Sequence, residues 1–204
     1  MKIRGLHSGI GGILCASAAW TVAANADVRP KTAPVVITHT ENGSVTFSGA
    51  RGQAETVVPI SKGSKCTGRA QDKTTYTQSS CSFEPASATI NGNPVTVYWT
   101  SPSGTGTRQG NTVSFSQLLI LRVVKKGPDG FDCRSAPFQA QPPTVSGPLD
   151  TTKESVAFRL ADGLDRLGVG FGTGPQCSVA QKQALDDALA KIRDISQHLH
   201  VACW

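Results

Sequence analysis

Short runs of alternating apolar and polar residues recur from Val35 to Phe171, separated by Gly, Asn and Pro clusters. A period of two marks β-strands, because successive side chains point to opposite faces. Val35 to Thr40 and Ser44 to Ser48 flank Glu41-Asn42-Gly43. Asn-Gly between alternating segments predicts a hairpin, since both turn positions need positive φ. Glu55 to Ser61 is a further strand, placed at an edge by Pro59. Thr74 to Phe83 alternates again, and Ala88–Ile90 and Pro94–Thr100 flank a second turn at Asn91-Gly92-Asn93. Val95, Val97 and Trp99 share one face, read as core; Thr96, Tyr98 and Thr100 share the other.

Residues 101–111, rich in Ser, Gly and Thr, read as a flexible loop. Thr112 to Lys126 is the longest strand candidate. Its Leu119, Leu121 and Val123 face one way and Leu118, Ile120 and Val124 the other, with Gln117 interrupting. Apolar residues on both faces predict a strand covered on both sides. Residues 134–155 are Pro-rich and read as a long surface loop, after which Val156–Leu160 and Leu167–Phe171 predict one more hairpin.

The pattern then changes. Ser178 is a natural N-cap, and no Gly or Pro follows until the chain ends. Leu185, Leu189, Ile192, Ile195 and Leu199 recur at steps of three and four, which predicts an amphipathic helix over 179–200, with Asp187 and Lys191 as an i,i+4 pair. The expected fold is mainly β: an antiparallel sheet or β-sandwich, with one C-terminal amphipathic helix packed on it and covering the second face of the 112–126 strand.

The N-terminus adds a location. Lys2 and Arg4 precede an uncharged run from Ile10 to Ala24, and Ala24-Asn25-Ala26 offers small residues before Asp27. Residues 1–26 therefore read as a cleaved signal peptide, with 27–204 as a single domain in the periplasm or outside the cell. The run is too short for a spanning helix, which needs about 20 apolar residues. Cleavage leaves 178 of the 204 residues, with 18 basic against 14 acidic side chains. A net charge of that size mildly favours anionic partners and does not imply nucleic-acid binding.

Export also changes the cysteine arithmetic. Cys66, Cys81, Cys133, Cys177 and Cys203 remain, an odd number in an oxidising compartment. Cys66 and Cys81 have the spacing of a hairpin-closing disulfide. A helix over 179–200 would hold Cys177 and Cys203 apart, so Cys133 is expected to pair with one of them. The shorter loop favours Cys177. The leftover thiol could link two chains.

Candidate chemistry is sparse. Lys62, Lys65, Arg69 and Lys73 form the clearest charge cluster, on a hairpin-like unit; Arg122, Lys125 and Lys126 form a second. Such cations suit an anionic envelope polymer or a protein partner, and they also protect a strand edge from aggregation. His198, His200 and Cys203 form an H-x-H-x-x-C ending that suits zinc or copper. On a continuous helix His198 and His200 point about 200° apart, which opposes a shared ion. His39 lies on the face of Val35 and Ile37, where a structural role is expected. No G-x-S-x-G elbow, P-loop or dinucleotide motif is present, and Gly168, Gly170, Gly172 and Gly174 alternate without phosphate-loop spacing. Asp129 with Asp132, and Asp162 with Asp165, read as Asp-Gly turn chemistry. No cofactor is implied. The reading favours an exported, non-enzymatic binding protein; the alternatives are a secreted hydrolase using carboxylates, or a metal-binding protein using the C-terminal His/Cys cluster.

Overall fold

The computed structural model describes residues 33–71, 74–109, 112–139, 145–148, 156–159 and 166–202. The first strands are β1 (Ala33–His39), β2 (Gly43–Ser48), β3 (Thr56–Ile60), β4 (Lys65–Ala70) and β5 (Thr75–Ser82). A long hairpin follows β6 (Ala86–Ile90) and consists of β7 (Asn93–Gln109) and β8 (Thr112–Lys125). Short strands come next: β9 (Phe131–Arg134), β10 (Phe138–Gln139), β11 (Val145–Pro148), β12 (Val156–Arg159) and β13 (Arg166–Leu167). Helix α1 (Val179–Ala188) and strand β14 (Lys191–Ala202) end the described chain.

Every pairing is antiparallel, and all strands join one curled sheet. The ladder runs β1-β4-β5-β7-β8-β11-β12-β14, and β14 also pairs with β1, so the pairings return to their start. β2 and β3 branch from β14, and β6, β9 and β10 flank the long hairpin. Among the described residues β3 forms a strand ladder with β2 alone, as expected of a strand carrying Pro59.

The inward residues form one core. Val35, Phe47, Val58, Val97, Leu121 and Ile192 are fully enclosed, each contributing about 1.5–3 kcal/mol by leaving water. Trp99 is buried at 4% exposure, and its indole N–H donates to the Pro59 carbonyl, so the expected Val95-Val97-Trp99 core face is observed. Helix α1 lies at the β6–β7 turn and against β9, rather than over the second face of β8. Asn91 Nδ2 donates to the Ala184 carbonyl there, and Leu185 and Ala188 are buried. Ser178 caps α1 in a reciprocal capping box with Gln181.

The predicted helix over 179–200 is corrected. It stops at Ala188, and Lys191–Ala202 is a strand between β1 and β2 on one side and β12 and β13 on the other. A β-bulge explains the false period. The register shifts between Ile192 and Asp194, so Arg193 is an extra residue, and Ile192 and Ile195 face the core three positions apart. Beyond the bulge Ile195, Gln197 and Leu199 alternate inward, with Gln197 masking the period of two. Lys191, expected to pair with Asp187 one helical turn away, stands on β14, and the i,i+4 contacts within α1 are Lys182 with Asp186 and Gln183 with Asp187.

Four loop and hairpin expectations also change. β1 and β2 do not pair with each other; both run along β14. Neither Asn42 nor Gly43 takes positive φ, and Asn42 Oδ1 instead accepts the Lys62 N–H at 2.8 Å. Gly43 is required for another reason: a Cβ there would lie 2.5 Å from the Ser196 carbonyl oxygen on β14. The 101–111 loop is mostly strand β7, and the 134–155 loop contains β10 and β11 against β8. Strands β12 and β13 each pair with β14 instead of forming a hairpin. By contrast Asn91 (φ 50°) and Gly92 (φ 72°) form the predicted turn between β6 and β7.

Candidate functional site: an exposed cationic β-face and a histidine pair

The β4–β5 hairpin sorts its residues by parity. Cys66, Gly68 and Ala70 point inward, and Lys65, Thr67 and Arg69 point to solvent. The expected Cys66–Cys81 disulfide joins the two strands. A bulge after Thr67 leaves both Ser79 and Ser80 exposed. Lys65 lies opposite Ser82, and Arg69 opposite Thr77, which continues to Thr105 on β7 and Ser116 on β8. The result is an outer face of hydroxyls bearing two cations roughly 13 Å apart along one strand. Lys62 is exposed in the turn before β4, and Lys73 lies outside the described residues. Lys62 and Lys65 enter no ion pair among the described residues.

The inside of this hairpin is polar too, and closed. Gln78 Nε2 donates to the Ser101 carbonyl at 3.0 Å and meets Ser101 Oγ at 2.9 Å. Gln117 Nε2 donates to Gln78 Oε1 at 2.9 Å and approaches both sulfurs of the disulfide. Gly104 makes room, since a Cβ would stand 2.6 Å from Gln78 Oε1. Gln117, the polar interruption of an apolar face, thus completes a satisfied buried network. That network sets the sheet under Lys65 and Arg69 rather than exposing chemistry of its own.

The second basic cluster is engaged elsewhere. Arg122 makes a two-point ion pair with Asp132 and stacks over the Tyr98 ring at 5.3 Å from its centroid. The Asp132 hydrogen bond raises the Arg122 pKa, and the Arg122 hydrogen bond lowers that of Asp132. Lys125 Nζ donates to Asn93 Oδ1 at 3.0 Å, on the rim of a shallow cleft of about 280 Å³ beside α1. Asp129 lines that cleft, while Asp132 is held by Arg122; Asp162 and Asp165 lie outside the described residues.

His39 is buried at 3% exposure, with Nδ1 3.1 Å from the Ser64 carbonyl oxygen. A backbone oxygen thus occupies the place a triad carboxylate would need. Burial pushes its pKa down, outweighing the bonds to Ser64 and Gln197 that raise it. Gly168 is a packing glycine: a Cβ would lie 1.7 Å from the Leu189 carbonyl oxygen. The Cys133–Cys177 bridge is present, tying β9 to the segment before α1, and Cys203 lies outside the described residues. Cys177 was the pairing expected from the shorter loop, although the helix invoked to exclude Cys177–Cys203 ends early.

His198 and His200 change most. On a strand they share one face, outward, while Gln197 and Leu199 are buried. Glu41 Oε2 lies 3.6 Å from His198 Nδ1.

No family model, no curated protein and no solved structure matches the chain.

Its faces are therefore distinguished by their own chemistry. The sequence identified Lys62, Lys65 and Arg69 but not the hydroxyls beside them, Thr67, Thr77 and Thr105. Thr-x-Thr at 75–77 and 105–107 was the available signal; adjacency arises only when β5 pairs with β7. Glu41 was missed for the same reason, since 158 residues separate its neighbour Thr40 from His198, whose carbonyl accepts the Thr40 hydroxyl.

Proposed function

We propose that this protein is exported and acts as a non-enzymatic binding protein, its β4–β5 face taking an anionic polysaccharide of the cell envelope or its surroundings. One observation carries the reading: Lys65 and Arg69 stand on the same exposed face of β4, amid Thr and Ser hydroxyls of β5 and β7. Ammonium and guanidinium groups answer carboxylate or sulfate, and the hydroxyls answer the sugar hydroxyls between them. A regular β-surface repeats at roughly 6.7 Å along a strand, which suits a ligand that is itself a repeat. Lys62 extends the positive line at the turn. Two disulfides support an oxidising location, and no described helix is long and apolar enough to cross a membrane.

Calorimetry of the 27–204 chain with polygalacturonate and with an uncharged glucan tests this. Binding to the acidic polymer alone, weakening as salt rises, is expected. Lys65→Glu with Arg69→Glu lowers that affinity at least about tenfold, the equivalent of 1.4 kcal/mol. Equal affinity for both polymers, or an unaffected double variant, overturns the reading. Sequencing the N-terminus of the exported chain checks cleavage before Asp27.

A further inference from the structure

We propose that His198 and His200 form a chelating site for a borderline divalent cation, Zn²⁺ in the first instance, on the outer face of β14. Three observations converge on it, none of which uses the β4–β5 cations, although Thr38 of β1, opposite His200, also lies opposite Lys65. The first is parity. Residues two apart on a strand project from the same side, with Cα atoms roughly 6.7 Å apart, so two imidazoles can close on one ion between them. The buried inward neighbours Gln197 and Leu199 fix that parity for His198 and His200.

The second is rigidity. At this point β14 is held on both flanks: His200 lies opposite Thr38 of β1, and His198 opposite Ala157 of β12. The Thr40 hydroxyl donates to the His198 carbonyl at 3.2 Å, and the Thr40 N–H donates to it at 2.9 Å. The backbone spacing between the two rings is thus set before any ion arrives.

The third is Glu41. Its Oε2 sits 3.6 Å from His198 Nδ1, on the segment that crosses from β1 to β2. At that distance the carboxylate is an ion-pair neighbour of Nδ1 rather than its hydrogen-bond acceptor; it favours Nε2 as the ligand atom, and a small side-chain rotation would complete the carboxylate–histidine–metal arrangement that strengthens many metal sites. Glu41 is exposed, His200 is exposed and His198 half-exposed, so the site is reachable from solvent. No group of three or more His, Cys, Asp or Glu side chains converges among the described residues. Two imidazoles therefore leave the remaining positions of a tetrahedral ion to water or to an added ligand. That makes the site an open one, suited to recruiting a metal-bound partner group rather than to bracing the fold.

The test titrates Zn²⁺ into the 27–204 chain, followed by calorimetry and by long-range ¹H–¹⁵N spectra of the imidazoles. One ion per chain is expected, with the His198 and His200 nitrogens shifting and those of buried His39 unchanged. His198→Ala and His200→Ala each lower the affinity at least tenfold, and Glu41→Gln lowers it by about tenfold. Thermal unfolding without metal stays unchanged in the single variants, because the replaced rings are on the surface. The proposal falls if millimolar Zn²⁺ produces no binding, or if binding survives the double variant His198→Ala, His200→Ala. Neither result bears on polysaccharide binding, which is read from Lys65 and Arg69.

Discussion

Buried His39 links a single side chain to the stability of the whole sheet. It sits where β1 meets the turn before β4, with its ring against Phe83 and its Nδ1 on the Ser64 carbonyl. Desolvation lowers its pKa below the ordinary 6.5. The unfolded chain then binds a proton that the folded chain resists, so stability is full above pH 6.5 and is lost as pH falls through the folded value. Denaturant unfolding from pH 7.5 to pH 5.5 should show that loss in the wild type and a shallower one in His39→Gln; parallel pH profiles would remove the assignment. A second residue-scale expectation concerns Gly68. A Cβ there would stand 2.2 Å from the Thr77 carbonyl oxygen and 2.4 Å from the Tyr76 ring. Gly68→Ala should destabilise by about 1–3 kcal/mol by overpacking, read from the urea midpoint. At this scale the sequence was informative about His39, placed on the face of Val35 and Ile37. It was silent about Gly68, whose need for no side chain comes from a tyrosine on the next strand.

Elements are where local pattern and tertiary pairing compete. Asn42-Gly43 and Asn91-Gly92 are the same dipeptide. The second turns, because β6 and β7 have each other as partners. The first does not, because β14 offers a partner to both β1 and β2. The stretch after Ala188 shows the same competition: a bulge at Arg193 converts strand spacing into helical spacing on paper. Disulfides were more legible, since spacing alone marked Cys66–Cys81. Their energetic order follows from the loops they close, with sequence separations of 15 and 44 residues. Chain-entropy reasoning gives about 3 kcal/mol for the shorter loop and about 4 kcal/mol for the longer. Replacing Cys133 and Cys177 by alanine should therefore lower the unfolding free energy more than replacing Cys66 and Cys81. The two double variants compared in guanidinium provide the check, and the reverse order would show that native contacts outweigh loop closure.

Across the whole molecule, β14 is the element on which the fold depends. It comes last among the described strands yet pairs with β1, β2, β12 and β13. Ending the chain at Gln197 would strip β1 of its partners from Leu199 to Ala202. That variant is expected to lose cooperative unfolding and near-ultraviolet dichroism, whereas a native-like melt would show that β1 and β4 suffice to hold that side. By itself the sequence determined the β class, the inward face of β7, the Cys66–Cys81 staple and the exposed cations of β4. All of these depend on residues close in the chain, where period two and turn chemistry act directly. Only the tertiary structure decided that the sheet curls until β14 meets β1, and that the last twelve residues of the described chain form a strand. It also decided that His198 and His200 share a face with Glu41 beside them. Those facts depend on which strands become neighbours across more than a hundred residues. Hydrogen bonds offered by a distant strand outweighed the weaker local preference for a turn at Asn42 or a helix beyond Ala188.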